Sequence, residues 1–423
     1  MSLPITARIT RPANASSPLT GFLAVGAELL AGEDPQLHGA MQAEHADRES
    51  TLSLTPDAAF VEPSVLACSA GVTRPSDQLA TEVPVRVERL AADRAREVFG
   101  ADYANVLPGS VPAAVTGVLD AFGHDVRAAL DLREAVGAGH DAGVAGHQQA
   151  RHRAVADLVD AVRPPALLCG GPYAPATMDY ERLRAIADGA GALLIADVTA
   201  TAGEIAIGEV QSPVGHAHVT VVGTDRRLFG PRGAIVLTSS RDGTAEACAG
   251  TLTWSWPGSG ELSAVAGKAR ALDLATTRPF RETTVRIRST AAALSDELAK
   301  LGGRVSPAEL ADHTIVLEPP DRFEHVDAVI DVFGKVGVSV GAAPKGVAGS
   351  AAVALGSTAL AQRGFGPSEI REIAELLDAV ISAARPDGSL DESVRGSVAE
   401  SVRRLLSQFP IPSYVPVSKW EAC

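Results

Sequence analysis

The chain has little cysteine, little lysine and no long apolar run. Four cysteines (Cys68, Cys169, Cys248 and Cys423) are scattered through 423 residues with no short spacing. That excludes a disulfide framework and a zinc-ribbon spacing, so buried or incidental thiols are expected. Only five lysines occur, at 268, 300, 335, 345 and 419, so no side-chain amine precedes Lys268. The bland explanation is genome base composition. No apolar stretch reaches membrane-spanning length. The opening MSLPITARITRPANASSP lacks the charged-then-apolar order of a signal peptide, so a cytoplasmic protein is expected. The net charge of −14 makes the chain a poor partner for nucleic acid or anionic lipid.

What is present is globular: 46% hydrophobic and 21% charged residues, at a length suited to two domains. Residues 1–50 read as an arm and a short helix, with Asp34 as N-cap and Pro35 as first helical residue. The next stretch, TLSLTPDAAFVEPSVL, reads as extended or irregular. A helix is expected over 83–99, where Val87, Leu90, Ala91, Ala95, Val98 and Phe99 share one face and Gly100 ends it. ALLCGG, ALLIADV, HVTVVG and GAIVLTS are continuous apolar runs separated by helical stretches. That pattern implies a mostly parallel sheet covered on both faces. From about residue 280 the pattern changes to a smaller α+β domain. The expected division is therefore 1–50, a large α/β domain over 51–279, and a small domain over 280–423.

Five segments in order then carry a resemblance: ADRAREVFGADYANVLP, DYERLRAIADGAGALLIADVTATAG, PVGHAHVTVVGTDRRLFGPRGAIVL, AGKARAL and ALGSTALAQRGF. Each resembles the corresponding stretch of serine hydroxymethyltransferase, a fold-type-I pyridoxal-phosphate enzyme. The resemblance implies an aminotransferase-like large domain with a seven-stranded, mostly parallel sheet and a small C-terminal α+β domain. It further implies a homodimer with cofactor sites at the subunit interface.

That chemistry needs an imine-forming lysine, an aspartate on the pyridine nitrogen, a stacking histidine and a carboxylate-clamping arginine. By the resemblance, Asp197 keeps the aspartate position at a strand's C-terminal end, although capping the following turn is an equal alternative. In the family signature T-T-T-H-K-T-L-x-G-P-R-G, Arg226 stands at the lysine and Asp225 at the preceding histidine. A guanidinium stays protonated and has no lone pair for an aldehyde. Ala354 falls at the clamping arginine, Asp57 at the serine of S-E-N-F, and Glu134 at the stacking histidine. The phosphate-cradling turn is reduced to Gly109 and Ser110, followed by Pro112, which has no N–H. Lys268 matches a family lysine expected on a helix away from the ring.

Asp197, Asp225 and Arg226 are the candidate catalytic residues. Gly109, Ser110, Thr224, Arg227, Arg232, Gly258 and Ser259 are the candidate ligand contacts. A salt-bridged network filling the vacated pocket is a slightly stronger reading for Asp225 and Arg226, and Arg232 reads as structural or as a residual contact. Trp254 and Trp256 flank the loop holding Gly258 and Ser259 and read equally as interface anchors or core. His216 and His218 precede a strand and read as structural. His140, His147 and His152 lack a thiol or carboxylate at tight spacing, so no metal site is expected.

Three hypotheses follow. One is a pyridoxal-phosphate-independent transferase of an acyl, aminoacyl or one-carbon group between small molecules. Another is a non-catalytic partner of an active paralogue, or a ligand sensor. The third is residual, non-covalent pyridoxal-phosphate binding. The first is favoured narrowly. The cofactor stays unassigned: covalent pyridoxal phosphate is not expected, and tetrahydrofolate is admitted by the resemblance without residue support.

Overall fold

A computed structural model describes residues 18–71, 82–132, 144–171, 178–239, 262–305, 313–343 and 352–411. Its larger sheet contains β2 (Tyr103–Asn105), β3 (Leu130–Asp131), β4 (Ala166–Gly170), β5 (Leu193–Asp197), β6 (Val219–Gly223) and β7 (Ala234–Thr238), in the order β2-β7-β6-β5-β4-β3. Strands β3 to β6 pair in parallel, and β7 runs against both β6 and β2. Five of the six strands therefore point the same way. The resemblance implies seven strands, and six lie within the described residues.

The apolar strands are buried on both faces, as their continuous runs imply. Leu167, Leu194, Val222 and Ile235 point into one core layer. Leu168, Ile195, Val221 and Val236 point into the other, against helix Val111–Ala121. Register brings Gly170 opposite Asp197 and Asp197 opposite Val221, which aligns the C-terminal ends of three strands. Ligands gather at that edge in folds of this kind.

Local signals hold where predicted. Asp34 Oδ1 accepts the Leu37 N–H at 3.0 Å and Pro35 opens helix Pro35–Ser50. Helix Glu82–Phe99 ends at Gly100, with φ +67°. The expected arm is helical where described, with a further helix over Pro18–Glu33. The stretch read as extended or irregular contains β1 (Leu52–Ser53), and helix Pro63–Gly71 begins at its end.

A second core lies under a four-stranded antiparallel sheet, β11-β12-β9-β8. These strands are β8 (Arg304–Val305), β9 (Thr314–Glu318), β11 (Gly341–Ala342) and β12 (Val353–Gly356). The stripe Ile370, Ile373, Leu377, Val380 and Ile381 of helix Pro367–Ala383 packs into it. Residues on either side of 280 contribute to both cores. Strand β1 pairs in parallel with β10 (Val338–Ser339), and Leu52 and Leu54 belong to the second core. Burying each of those leucines contributes roughly 1.5–3 kcal/mol. Segment 52–54 thus serves the small body although it precedes the large one in sequence. Helix Arg278–Lys300 gives Phe280 and Ile287 to the first core, and Leu294 and Leu298 to the second.

Candidate functional site

The site is built at the C-terminal ends of β4, β5 and β6. Gly170 adopts φ +91°, and a Cβ there would lie 2.0 Å from the Asp197 carbonyl oxygen. The glycine lets the two strand ends close up, and the Gly171 N–H donates to that carbonyl at 2.8 Å. Asp197 is buried, and its Oδ1 accepts the Thr199 N–H at 3.0 Å and the Thr199 hydroxyl at 2.6 Å. The Thr199 oxygen in turn accepts the Gly223 N–H at 2.8 Å. One carboxylate oxygen of Asp197 therefore caps the following turn and stitches it to β6.

Loop 224–233 follows β6. It is closed by Thr224 N–H to Gly233 O at 3.0 Å, Gly230 N–H to Thr224 O at 2.8 Å, and Thr224 Oγ1 to Pro231 O at 2.6 Å. The Thr224 hydroxyl, a candidate ligand contact, is used inside the loop. Leu228 and Phe229 anchor the loop in the first core, and the Phe229 and Phe280 rings lie 5.4 Å apart.

The two adjacent arginines point to different partners. Arg226 Nη1 lies 2.7 Å from Asp57 Oδ1, with side chains 32% and 58% exposed. Asp57 has its carboxyl raised above the ordinary value of 3.8 by burial, partly offset by Arg226 and reinforced by Asp225. Arg227 goes inward. Its Nη2 pairs with Glu204 Oε1 and its Nη1 donates to Thr358 Oγ1 at 3.0 Å. Arg227 and Glu204 are each only 1% exposed. Arg227, expected as a ligand contact, directs its guanidinium to a buried carboxylate. Asp225 is half-buried and Arg232 is exposed.

Gly109 and Ser110 lie at the start of helix Val111–Ala121. Ser110 Oγ accepts the Ala113 N–H at 3.3 Å. Pro112 offers no donor, so this helix start has few amides left for a phosphate. Ala354 sits inside β12, fully buried and paired with Val316. Glu134, His140, Trp254, Trp256, Gly258 and Ser259 lie outside the described residues.

Lys268 lies on helix Leu262–Ala275 and is fully buried, with Nζ donating to the carbonyls of Val106 at 2.6 Å, Pro108 at 2.8 Å and Ala234 at 3.1 Å. Three ammonium donors meet three acceptors, which ties β7 to the turn before Gly109. Burial lowers its pKa to about 7.

The histidine pair before β6 is structural. His218 Nδ1 accepts the Leu194 N–H at 2.9 Å, and the His216 carbonyl accepts from Arg184 at 3.1 Å. Among the described residues, no three or more His, Cys, Asp or Glu side chains group as metal ligands.

Three residues of the site carry little signal in the sequence. Asp57 shows there only as standing at a serine. Glu204, in TATAGEIAIG, has as its one signal that a lone acid in an apolar helix calls for a buried partner. His313, before β9, is buried, and its Nδ1 has no partner among the described residues. Burial, then Arg227 and Arg226, push its pKa well below 6.5.

The family described as serine hydroxymethyltransferase matches residues 143–377. The serine hydroxymethyltransferase of Ruegeria pomeroyi is 29% identical, across 94% of this chain and 99% of its own length. Serine hydroxymethyltransferase 1 of Bordetella parapertussis is 31% identical, across 90% and 95%. The Mycobacterium leprae enzyme is 30% identical, across 90% and 96%. The family match covers more than half of the chain and these relatives align over nearly all of it, and the chain belongs to the serine hydroxymethyltransferase family.

Proposed function

We propose that this chain is a member of its family that works without covalently held pyridoxal phosphate. On this reading it is a transferase moving an acyl, aminoacyl or one-carbon group between small molecules in the cleft between the two bodies. The observation that carries the reading is the Arg226–Asp57 contact. By the resemblance, these positions hold lysine and serine in the family. The first has become a cation that cannot act as a nucleophile, the second a carboxylate, and their side chains meet.

The residues do not fit a covalent coenzyme. Arg226 is a permanent cation without a nucleophilic lone pair. Lys268, the nearest lysine in sequence, is fully occupied by three carbonyls. The helix start at Ser110 is depleted of amide donors.

The groups that remain suit oxyanion binding and proton transfer. Arg226 offers a planar fork of donors for a carboxylate or phosphate. Asp57, its affinity for a proton raised by burial and by Asp225, suits a general base. An acceptor N–H or O–H would pass its proton to Asp57 as its lone pair attacks the donor carbon. The leaving group would then take that proton.

An absorbance scan with added pyridoxal phosphate, before and after borohydride, tests the reading. The expected result is no reducible visible band and no coenzyme mass on any lysine peptide. A stable adduct on a lysine would overturn it.

A second reading is a non-catalytic subunit or sensor. It is favoured by Asp197 Oδ1 being engaged by Thr199 and Arg227 being engaged by Glu204.

A further inference from the structure

Asp57 and Arg226 are carried by different bodies. Asp57 ends segment 52–57, whose strand β1 pairs with β10 and whose leucines fill the second core. That segment is tightly seated. The Gly356 N–H donates to Leu54 O at 2.6 Å, and a Cβ at Gly356 would stand 2.6 Å from Thr55 O. Arg226 is carried by loop 224–233, closed on itself through Thr224 and anchored by Phe229. Both carriers are packed, so the way the two bodies meet sets the contact between the side chains.

The pair remains open to solvent, with Arg226 one-third and Asp57 more than half exposed. An ion pair this exposed is weak enough for a competing anion to replace. Arg226 is nonetheless mostly covered, and its Nη1 is directed at the position Asp57 fills.

We propose that Asp57 is a built-in occupant of an oxyanion seat on Arg226, and that a small acidic ligand enters the cleft by displacing it. This rests on the reading that Arg226 is not an amine anchor, and it deepens that reading by naming the ligand chemistry. The small body thereby supplies its own competitor for the cation of the large body. Asp225 also faces Asp57, so the local field by itself does not favour anions. The seat exists because one carboxylate is held in register with the guanidinium.

The test is calorimetric titration of the full chain with malonate and, separately, with inorganic phosphate. Asp57→Asn removes the competing charge from the seat and is expected to bind at least one of the two about tenfold more tightly than the unaltered chain, the scale of one charge-assisted contact. Asp57→Ser gives the same result without an amide to bond Arg226. Arg226→Gln in either background is expected to abolish the gain. Asp225→Asn removes an equal charge nearby without emptying the seat, and is expected to change affinity by less than about threefold. The idea fails if both Asp57 variants bind no better than the unaltered chain, or if Asp225→Asn matches them. Tighter binding of malonate alone identifies a carboxylate ligand, and of phosphate alone a phosphorylated one. A lysine-bound coenzyme in the borohydride experiment would sink the parent reading, whereas an unresponsive titration sinks the seat alone.

Discussion

Glu204 and Arg227 form an ion pair inside the protein, at the junction of helix Ala202–Ala206 with loop 224–233. Arg227 also reaches Thr358 on helix Thr358–Arg363 of the small body. The pair therefore ties the strand-end site to both bodies. Among the described residues, Glu204 Oε2 and Arg227 Nε have no further partners, so the pair is incompletely satisfied there.

Removing one member leaves an uncompensated charge in the interior. Glu204→Gln or Arg227→Met should lower unfolding free energy by about 3–5 kcal/mol. Replacing both, as Glu204→Leu with Arg227→Met, should recover most of the loss, because desolvating two ions is itself costly. Urea unfolding of the two single variants and the double variant measures this. A double variant as unstable as the sum of the singles would contradict it.

The same reasoning makes Lys268 a strut. Lys268→Met keeps the apolar stem but removes a donor from the carbonyls of Val106, Pro108 and Ala234, of which Pro108 still accepts the Ala234 N–H. A loss of about 2 kcal/mol or more is expected, at the scale of 1–3 kcal/mol for a buried unsatisfied group. Gly233→Ala should also destabilise, because its Cβ would stand 2.3 Å from Lys268 Cε, whose position three hydrogen bonds hold. Thermal melting of each variant checks both. A melting point unchanged in Lys268→Met would show that the three bonds contribute little.

Gly170→Ala should be among the most damaging small changes in the chain. Its φ of +91° is strained for any residue with a Cβ, and that Cβ would sit 2.0 Å from the backbone oxygen of Asp197. Backbone oxygen has nowhere to move without breaking β4–β5 register. A loss exceeding about 2 kcal/mol is expected, read as a lower urea midpoint with the sheet's circular dichroism retained below it. Wild-type stability would refute the close approach.

His313 sets a pH dependence whose sign is fixed by its burial. In the fold its pKa lies well below 6.5, and in the unfolded chain it returns to that ordinary value. Below about pH 6.5 the unfolded chain therefore binds a proton that the folded chain refuses. Its contribution to stability is full above that pH and falls as pH drops, by at most about 1.4 kcal/mol per pH unit. Urea midpoints from pH 7.5 to 5 should show a shallower decline in His313→Gln than in the unaltered chain. Parallel slopes would mean that His313 titrates alike in both states.

Much of the scaffold was legible from residue order alone, because its signals are local. Asp34 before Pro35, the glycine after Phe99 and the buried runs ending at Asp197 and Gly223 act through neighbours a few residues away. The placement of Asp197 at a strand end was readable, and so was the helix that carries Lys268. Loop 224–233 could be located as a site segment, but the opposite directions taken by Arg226 and Arg227 could not.

Those directions depend on residues far along the chain. Asp57 reaches Arg226 only because Leu52 and Leu54 prefer the second core, which carries their segment to the small body. Glu204 and Thr358 reach Arg227 only once sheet and helices have packed. Backbone preferences, glycine positions and the face each strand buries are short-range and belong to the sequence. The pairing of charges is long-range and belongs to the packed chain, where a buried ion must find its counter-ion and the fold decides which one it meets.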